Sequence, residues 1–132
     1  MSSKHIAFVC LHGSAKSLIA AEYLNRYARE QRLNISATTS GPEPDAEVPS
    51  NVIEGLLRRN IDVRQLLPRR VSAEGLANAT HIVSFACDLQ QFAPPGGQVE
   101  RWDDCPAVSD DFDVAWTFIT ARVDKLIGRI VK

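Results

Sequence analysis

A cysteine near the N-terminus stands between an apolar run and an amphipathic segment. Residues 6–9 are apolar and rich in strand-forming types, Cys10 follows them, and apolar side chains recur at helical spacing from Leu18 onward. The intervening loop therefore lies at a strand-to-helix turn, where backbone N–H groups and the helix dipole favour a bound anion. The same field favours the thiolate form of a neighbouring cysteine. The pattern indicates a nucleophilic thiol beside an anion site.

The loop after this cysteine has the composition of a phosphate-binding turn. Gly13 can adopt a positive φ without steric cost, and Lys16 supplies a cation where the helix begins. The backbone N–H groups and side chains expected to surround the anion belong to Leu11, His12, Gly13, Ser14, Ala15, Lys16 and Ser17. The predicted chemistry is attack by a thiolate on a phosphoryl group.

These residues resemble the signature of the low-molecular-weight protein tyrosine phosphatases and of the arsenate reductases that share their fold. Members of that family carry a Cys, five intervening residues, an Arg and a Ser; Cys10 and Ser17 match, and Lys16 stands where Arg is expected. The resemblance implies that Cys10 is the nucleophile, that Lys16 contacts the oxyanion, and that Ser17 donates to the sulfur or supports the loop. Because Lys lacks the planar fork of Arg, we expect an atypical member whose phosphate binding survives better than its turnover.

Hydrolysis of a phosphate ester also needs an acid for the leaving group. In the phosphatases a late loop containing Asp-Pro supplies this acid. Asp103 and Asp104 follow the last predicted strand, and Cys105 separates Asp104 from Pro106. The resemblance therefore implies Asp104, which lies closer to the proline, as the acid. A solvated surface carboxylate is the competing interpretation of either aspartate.

The second cysteine, Cys87, bears on whether the chain is a phosphatase or an arsenate reductase. Cys87 ends the third predicted strand as Cys10 ends the first, and the two strands are neighbours in the family's strand order. Arsenate reductases of this fold use a second Cys here and a third several residues on; no Cys occurs between Asp88 and Gly97. Cys87 is thus a candidate redox partner of Cys10, and thiol-dependent arsenate reduction ranks second to phosphatase activity. A phosphate- or phosphoprotein-binding module with weak turnover is the third hypothesis.

Alternating segments predict an α/β fold. We expect strands at 5–10, 34–39, 80–86 and 98–102, helices at 15–31, 49–59, 72–78 and 110–131, and Gly/Pro-rich loops at 41–49 and 94–97. Such alternation is typical of a parallel sheet covered by helices. The resemblance, which extends to the Thr39-Ser40-Gly41 segment and to residues 60–63 and 81–85, implies three layers with a four-stranded parallel sheet in the order 2-1-3-4. Ligands bind at the carboxyl ends of such strands.

Length and composition set the broader class. The chain has 132 residues, three cysteines and a formal net charge of −1 with interspersed signs. We expect one domain over 1–132, no nucleic-acid or membrane partner, and neither a metal nor another cofactor. The absence of a visible secretory signal and of a disulfide framework favours a reducing cytoplasm. The expected substrate is a phosphorylated protein or small phosphate ester, with arsenate and a thiol reductant as the alternative.

Overall fold

The predicted strands and helices are confirmed, with ends that differ by one or two residues. The structure is a computed structural model that describes residues 3–94 and 98–131, so residues 95–97 of the predicted loop at 94–97 lie outside the described residues. The elements are β1 Lys4–Cys10, α1 Lys16–Gln31, β2 Ile35–Ser40, α2 Ser50–Leu57, α3 Ala73–Ala77, β3 His81–Phe85, β4 Val99–Arg101 and α4 Phe112–Ile130.

The four strands form one parallel sheet in the order β2-β1-β3-β4. The last pairs along the central strand are Val9 with Ser40 of β2 and Cys10 with Phe85 of β3. Parallel strands present their carboxyl ends at the same edge of a sheet. The order predicted from the resemblance is therefore confirmed, and the end of β1 lies at the edge expected for a ligand.

Helices cover both faces of the sheet. In β1, Ile6, Phe8 and Cys10 pack in a core cluster that includes buried residues of α1, α2 and α4. Ala7 and Val9 point to the opposite face, where the smaller core cluster includes Leu76 of α3. A central strand buried on both faces needs apolar residues at successive positions, which explains the unbroken apolar run before the cysteine. The layers fix β1 firmly and leave its carboxyl end at the surface of the core.

Within residues 3–94 and 98–131, no helix is both long enough and apolar enough to cross a bilayer.

Candidate active site

The loop that follows β1 turns sharply at a glycine. Gly13 has a φ of 60°, in the left-handed region, and its N–H donates to the carbonyl of Cys10 at 3.2 Å. A Cβ at this position would lie 2.8 Å from the backbone nitrogen of Gly41 and 2.8 Å from the carbonyl carbon of Ser40. Gly13 is therefore required both by its conformation and by the close approach of another segment.

A second glycine lets the segment after β2 press against this loop. A Cβ on Gly41 would lie 2.4 Å from the carbonyl oxygen of Cys10, 2.5 Å from the nitrogen of Gly13 and 2.6 Å from the carbonyl oxygen of Leu11. The N–H of Gly41 donates to the carbonyl of Arg69 at 3.0 Å, which holds the segment in place. The contact needs the absence of a side chain at Gly41.

Backbone hydrogen bonds across this contact orient the peptide groups of the loop. The N–H of Glu43 donates to the carbonyl of Leu11 at 2.9 Å, and the N–H of Asp45 donates to the carbonyl of His12 at 3.2 Å. Because C=O and N–H point in opposite directions in a trans peptide, the N–H that adjoins each bound carbonyl turns away from residues 43–45. Within the described part of the chain, the N–H groups of four loop residues have no hydrogen-bond partner: Leu11, His12, Ser14 and Ala15.

Hydroxyl groups support the thiol of Cys10, which is only 7% exposed. Its sulfur lies 2.9 Å from the Oγ of Ser17, and that oxygen lies 2.6 Å from the Oγ1 of Thr39. Thr39 can also donate to the carbonyl of Gly13, at 3.4 Å. Each hydroxyl has one proton, so Ser17 can donate to a thiolate only when Thr39 turns its own proton toward Ser17. When Thr39 donates to Ser17 and Ser17 donates to the sulfur, the two hydroxyls form one chain directed at Cys10.

The cation of the site stands at the beginning of α1. Lys16 is the first residue of that helix, whose N-cap, Ala15, has no side-chain cap and whose first turn contains no acidic residue. Among the ion pairs of the described residues, none involves Lys16. A helix N-terminus that lacks a cap leaves several N–H groups without partners. The ammonium group and these N–H groups together form a site for an oxyanion.

The other loop side chains are tied to the segment after β2. The Oγ of Ser14 donates to Oδ2 of Asp45 at 2.6 Å. Nδ1 of His12 lies 2.8 Å from the carbonyl oxygen of Glu43 and 3.7 Å from Oδ1 of Asp45. Ser14 is buried, whereas half of the His12 side chain is exposed. These contacts hold the imidazole and the carboxylate side by side at the rim of the site.

A cleft of about 470 Å³ opens in front of the nucleophile. Its lining combines the predicted residues Cys10, Leu11, His12, Ser14, Ala15 and Lys16 with Asp45, Pro49, Asn51, Val52, Phe85, Ala86, Ala107, Val108 and Ser109. The structure thus brings most of the predicted loop to one cleft, with Gly13 and Ser17 supporting it from behind. Sequence reasoning missed Asp45 and Asn51, which carry no local motif, and Thr39, for which the Thr39-Ser40-Gly41 segment was the available signal.

The two aspartates proposed as acids lie outside this lining. Asp104 accepts a hydrogen bond from Arg122 at 2.8 Å, and Asp103 accepts one from Arg101 at 3.0 Å. Both carboxylates are more than half exposed. Among the described residues, those that line the cleft include neither aspartate. The role predicted for Asp104 stays a prediction, and the structure gives it an arginine partner.

All three cysteines are free and buried. Burial raises the pKa of the Cys87 thiol, and negative charge on Cys10 adds to this effect while Lys16 opposes it. Burial likewise raises the pKa of Cys105 to about 11, again opposed by Lys16. Cys105 belongs to the same core cluster as Cys10, whereas Cys87 belongs to the cluster on the other face of the sheet. The additional thiols are thus held protonated near the nucleophile.

Within the described ranges, no group of three or more His, Cys, Asp or Glu side chains is arranged to hold a metal ion.

Three solved bacterial structures have the same architecture. YfkJ from Bacillus subtilis is 21% identical, with a TM-score of 0.86 over 98% of this chain and 96% of the other. The thioredoxin-dependent arsenate reductase of Corynebacterium glutamicum is 21% identical, with a TM-score of 0.81 over 97% of this chain and 62% of the other. The low-molecular-weight protein tyrosine phosphatase from T. tengcongensis is 18% identical, with a TM-score of 0.74 over 96% and 99%. These likenesses establish the fold, which phosphatases and a reductase share.

The sequence itself matches the family model of the low molecular weight phosphotyrosine protein phosphatases over residues 5–100. That range includes the nucleophile loop, β2 and β3. The chain therefore belongs to the low-molecular-weight phosphotyrosine protein phosphatase family.

Proposed function

We propose that this chain is a cysteine-dependent phosphate monoester hydrolase that acts through a phosphocysteine intermediate. Its substrate is a phosphorylated protein or a small phosphate ester, and it needs no metal or other cofactor. The observation that carries the proposal is the uncapped N-terminus of α1, whose free N–H groups and Lys16 adjoin the thiol of Cys10. Family membership supports the same class of reaction.

The chemistry follows from the groups around the cysteine. The Cys10 thiolate attacks phosphorus, an S–P bond forms, and the P–O bond to the leaving group breaks with its electron pair going to oxygen. Loop N–H groups and the Lys16 ammonium stabilise the transferring phosphoryl oxygens. Water then attacks phosphorus, inorganic phosphate leaves, and the thiolate is restored with a hydrogen bond from Ser17.

Single-turnover trapping tests this proposal. The purified protein is mixed with dinitrophenyl phosphate, quenched in acid, and examined by intact-protein mass spectrometry. We expect one added phosphoryl group, located on Cys10 by peptide mapping. The adduct is absent from Cys10→Ser or is trapped there as a stable phosphoserine, whereas Cys105→Ser, which removes a buried thiol from the same core cluster, keeps the wild-type behaviour.

Absence of any phosphoryl adduct with intact anion binding would contradict hydrolysis. It would favour the third function, a phosphate- or phosphoprotein-binding module, because an uncapped helix N-terminus binds anions without requiring turnover. Calorimetry with inorganic phosphate separates these outcomes, since both functions require the anion to bind at the N-terminus of α1.

Arsenate reduction is the second candidate, and the pairing of Cys10 with Phe85, two residues before Cys87, favours it. Arsenate resembles phosphate in shape and charge and fits the same site. Reduction to arsenite would oxidise two thiols to a disulfide, which an external thiol reductant must restore. The test is arsenate-dependent thiol oxidation that both Cys10→Ser and Cys87→Ser abolish. Phosphate ester hydrolysis is expected to tolerate Cys87→Ser, so this variant distinguishes the two enzymes.

The state of the thiols supports the proposed compartment. All three cysteines are free, and a catalytic thiol stays reduced in the cytoplasm, where thiol reductants are abundant. We therefore retain the cytoplasm as the proposed location.

A further inference from the structure

The cleft contains its own candidate proton donors. Its titratable lining residues, among those that the structure describes, are Cys10, His12, Lys16 and Asp45. Cys10 is the proposed nucleophile, and Lys16 serves the proposed reaction as a permanent cation beside the phosphoryl oxygens. The leaving group therefore meets one imidazole and one carboxylate at the rim of the cleft.

Hydrogen bonding fixes the proton arrangement of the imidazole. A carbonyl oxygen only accepts hydrogen bonds, so Nδ1 of His12, at 2.8 Å from the carbonyl oxygen of Glu43, carries a hydrogen. Oδ1 of Asp45 lies 3.7 Å from the same nitrogen. Nε2 is consequently the nitrogen that gains and loses a proton. Half of this side chain is exposed, which leaves the ring accessible from the cleft.

Asp45 is held as an acceptor rather than a donor. Its Oδ2 accepts the hydroxyl proton of Ser14 at 2.6 Å, and its backbone N–H donates to the carbonyl of His12 at 3.2 Å. The carboxylate is thus tied to the loop at two points and faces the imidazole with its other oxygen. The carbonyl of Glu43 holds the ring by a hydrogen bond, and the carboxylate, at 3.7 Å, packs beside it and limits how the ring can turn.

We propose that His12 is the general acid and base of this site and that Asp45 is its positioning residue. The inference rests on the proposed phosphatase function and assigns to His12 the role that the sequence predicts for Asp104. In the first step Nε2–H of the imidazolium protonates the leaving oxygen as the P–O bond breaks. In the second step neutral Nε2 takes a proton from the attacking water, phosphate leaves, and the Cys10 thiolate is restored.

Leaving-group dependence tests the assignment. Dinitrophenolate leaves without protonation, whereas phenolate needs an acid. We expect His12→Asn to reduce kcat/KM for phenyl phosphate by about 10²-fold or more, with an effect of only a few-fold on dinitrophenyl phosphate. His81→Asn is the matched control: His81 begins β3, at the edge of the sheet opposite the cleft, and this variant should keep both rates.

The pH profile provides a readout that a structural role would not move. The other titratable groups that line the cleft with the imidazole are Asp45 from the segment after β2, Lys16 at the start of α1 and Cys10 at the end of β1. With phenyl phosphate, the wild-type rate falls at high pH as Nε2 loses its proton, and His12→Asn lacks this limb. Asp45→Asn keeps this limb, because His12 still provides the proton, but it lowers the rate on phenyl phosphate and spares the rate on dinitrophenyl phosphate.

The competing result is equally specific. A selective loss on phenyl phosphate in Asp104→Asn, with His12→Asn behaving as wild type, overturns the assignment in favour of the aspartate. Equal losses on both substrates in His12→Asn also overturn it, because the residue then acts on the loop and not on the leaving group. If wild-type protein forms no phosphocysteine with dinitrophenyl phosphate, the proposed function itself fails, and the inference falls with it.

Discussion

The N-termini of α1 and α4 are stabilised in different ways. At α4, Asp111 accepts a hydrogen bond from the N–H of Val114 at 3.2 Å, and Asp113 in the first turn pairs with Arg59 at 2.6 Å. At α1, the N-cap residue Ala15 provides no side-chain acceptor, and the first turn contains no acid. Side chains of the protein satisfy the N-terminus of α4, whereas the N-terminus of α1 has no side-chain cap.

The difference between the two N-termini shows which helix keeps hydrogen-bonding groups available for a ligand. A side-chain cap contributes about 1 kcal/mol to stability, and an acidic residue in the first turn adds to it. The N-terminus of α1 forgoes both contributions, and its N–H groups keep their hydrogen-bonding capacity for a ligand. An uncapped N-terminus beside a supported thiol is therefore an indication of function, whereas the capped N-terminus of α4 is structural.

The largest expected effect comes from adding a side chain at Gly41, where the segment after β2 contacts the loop that precedes α1. Gly41→Ala places a methyl group within 2.4–2.6 Å of three backbone atoms of the nucleophile loop. We expect the free energy of unfolding to fall by about 3 kcal/mol or more, or phosphate binding to be lost where the loop yields instead. Urea denaturation and phosphate titration measure the two outcomes.

Gly128→Ala in α4 is the matched control for this change. A Cβ at Gly128 would meet no atom within 4 Å, so the substitution should raise the free energy of unfolding by about 0.5–1 kcal/mol through helix propensity. Equal effects of the two substitutions would show that the close approach at Gly41 does not constrain the loop.

Lys16→Ala should weaken the anion site without disturbing the fold. A hydrogen bond to a charged group contributes about 1.5–3 kcal/mol, so calorimetry should detect about 10- to 100-fold weaker binding of inorganic phosphate. Lys125→Ala, which removes an exposed ammonium group from α4, is the control for net charge. Identical phosphate affinity in both variants would remove Lys16 from the oxyanion site.

The smallest expected effect is at the capped helix. Asp111→Ala removes the acceptor for the N–H of Val114 and should lower the free energy of unfolding by about 1 kcal/mol. Phosphate affinity should stay the same, because this N-terminus already has its partner within the chain. Weaker phosphate binding in folded Asp111→Ala would mean that the two helix ends are coupled, and the comparison would no longer separate them.

The sequence predicted the parts of the site that are local. Hydrophobic periodicity predicted a strand that ends at Cys10 and a helix that begins a few residues later. The spacing from Cys10 to Ser17 identified the loop between them. The resemblance to the phosphatases supplied the strand order, which periodicity alone does not determine.

Contacts between distant segments could not be predicted in this way. Asp45 acquires its role because the backbone of residues 43–45 bonds to the nucleophile loop, and no pattern near Asp45 signals that. Asp104 looked suitable from its neighbourhood in sequence, yet its carboxylate pairs with Arg122 of α4. The direction of a side chain depends on its tertiary partners, which are distant in sequence and are not indicated by the neighbouring residues.

Local conformation explains the small errors at helix ends. The helix predicted over 49–59 ends at Leu57, and Asn60 adopts a left-handed φ of 65° that terminates the segment. The helix predicted from 110 begins at Phe112 because Asp111 serves as its extended N-cap and not as its first turn. Asp and Asn are compatible with either situation, which limits how closely composition can define a boundary.

The contact between Gly13 and Gly41 also orders the events of folding. The two glycines are separated in sequence by all of α1 and β2, and the chain beyond Gly41 is held in turn by its bridge to Arg70. Closing such long loops costs entropy before any contact compensates for it. We therefore expect the loop after β1 to reach its final shape only after β2 has docked on β1. Under the proposed function, a phosphate-bearing ligand binds only chains that have completed this step, so by mass action it protects the finished fold from unfolding.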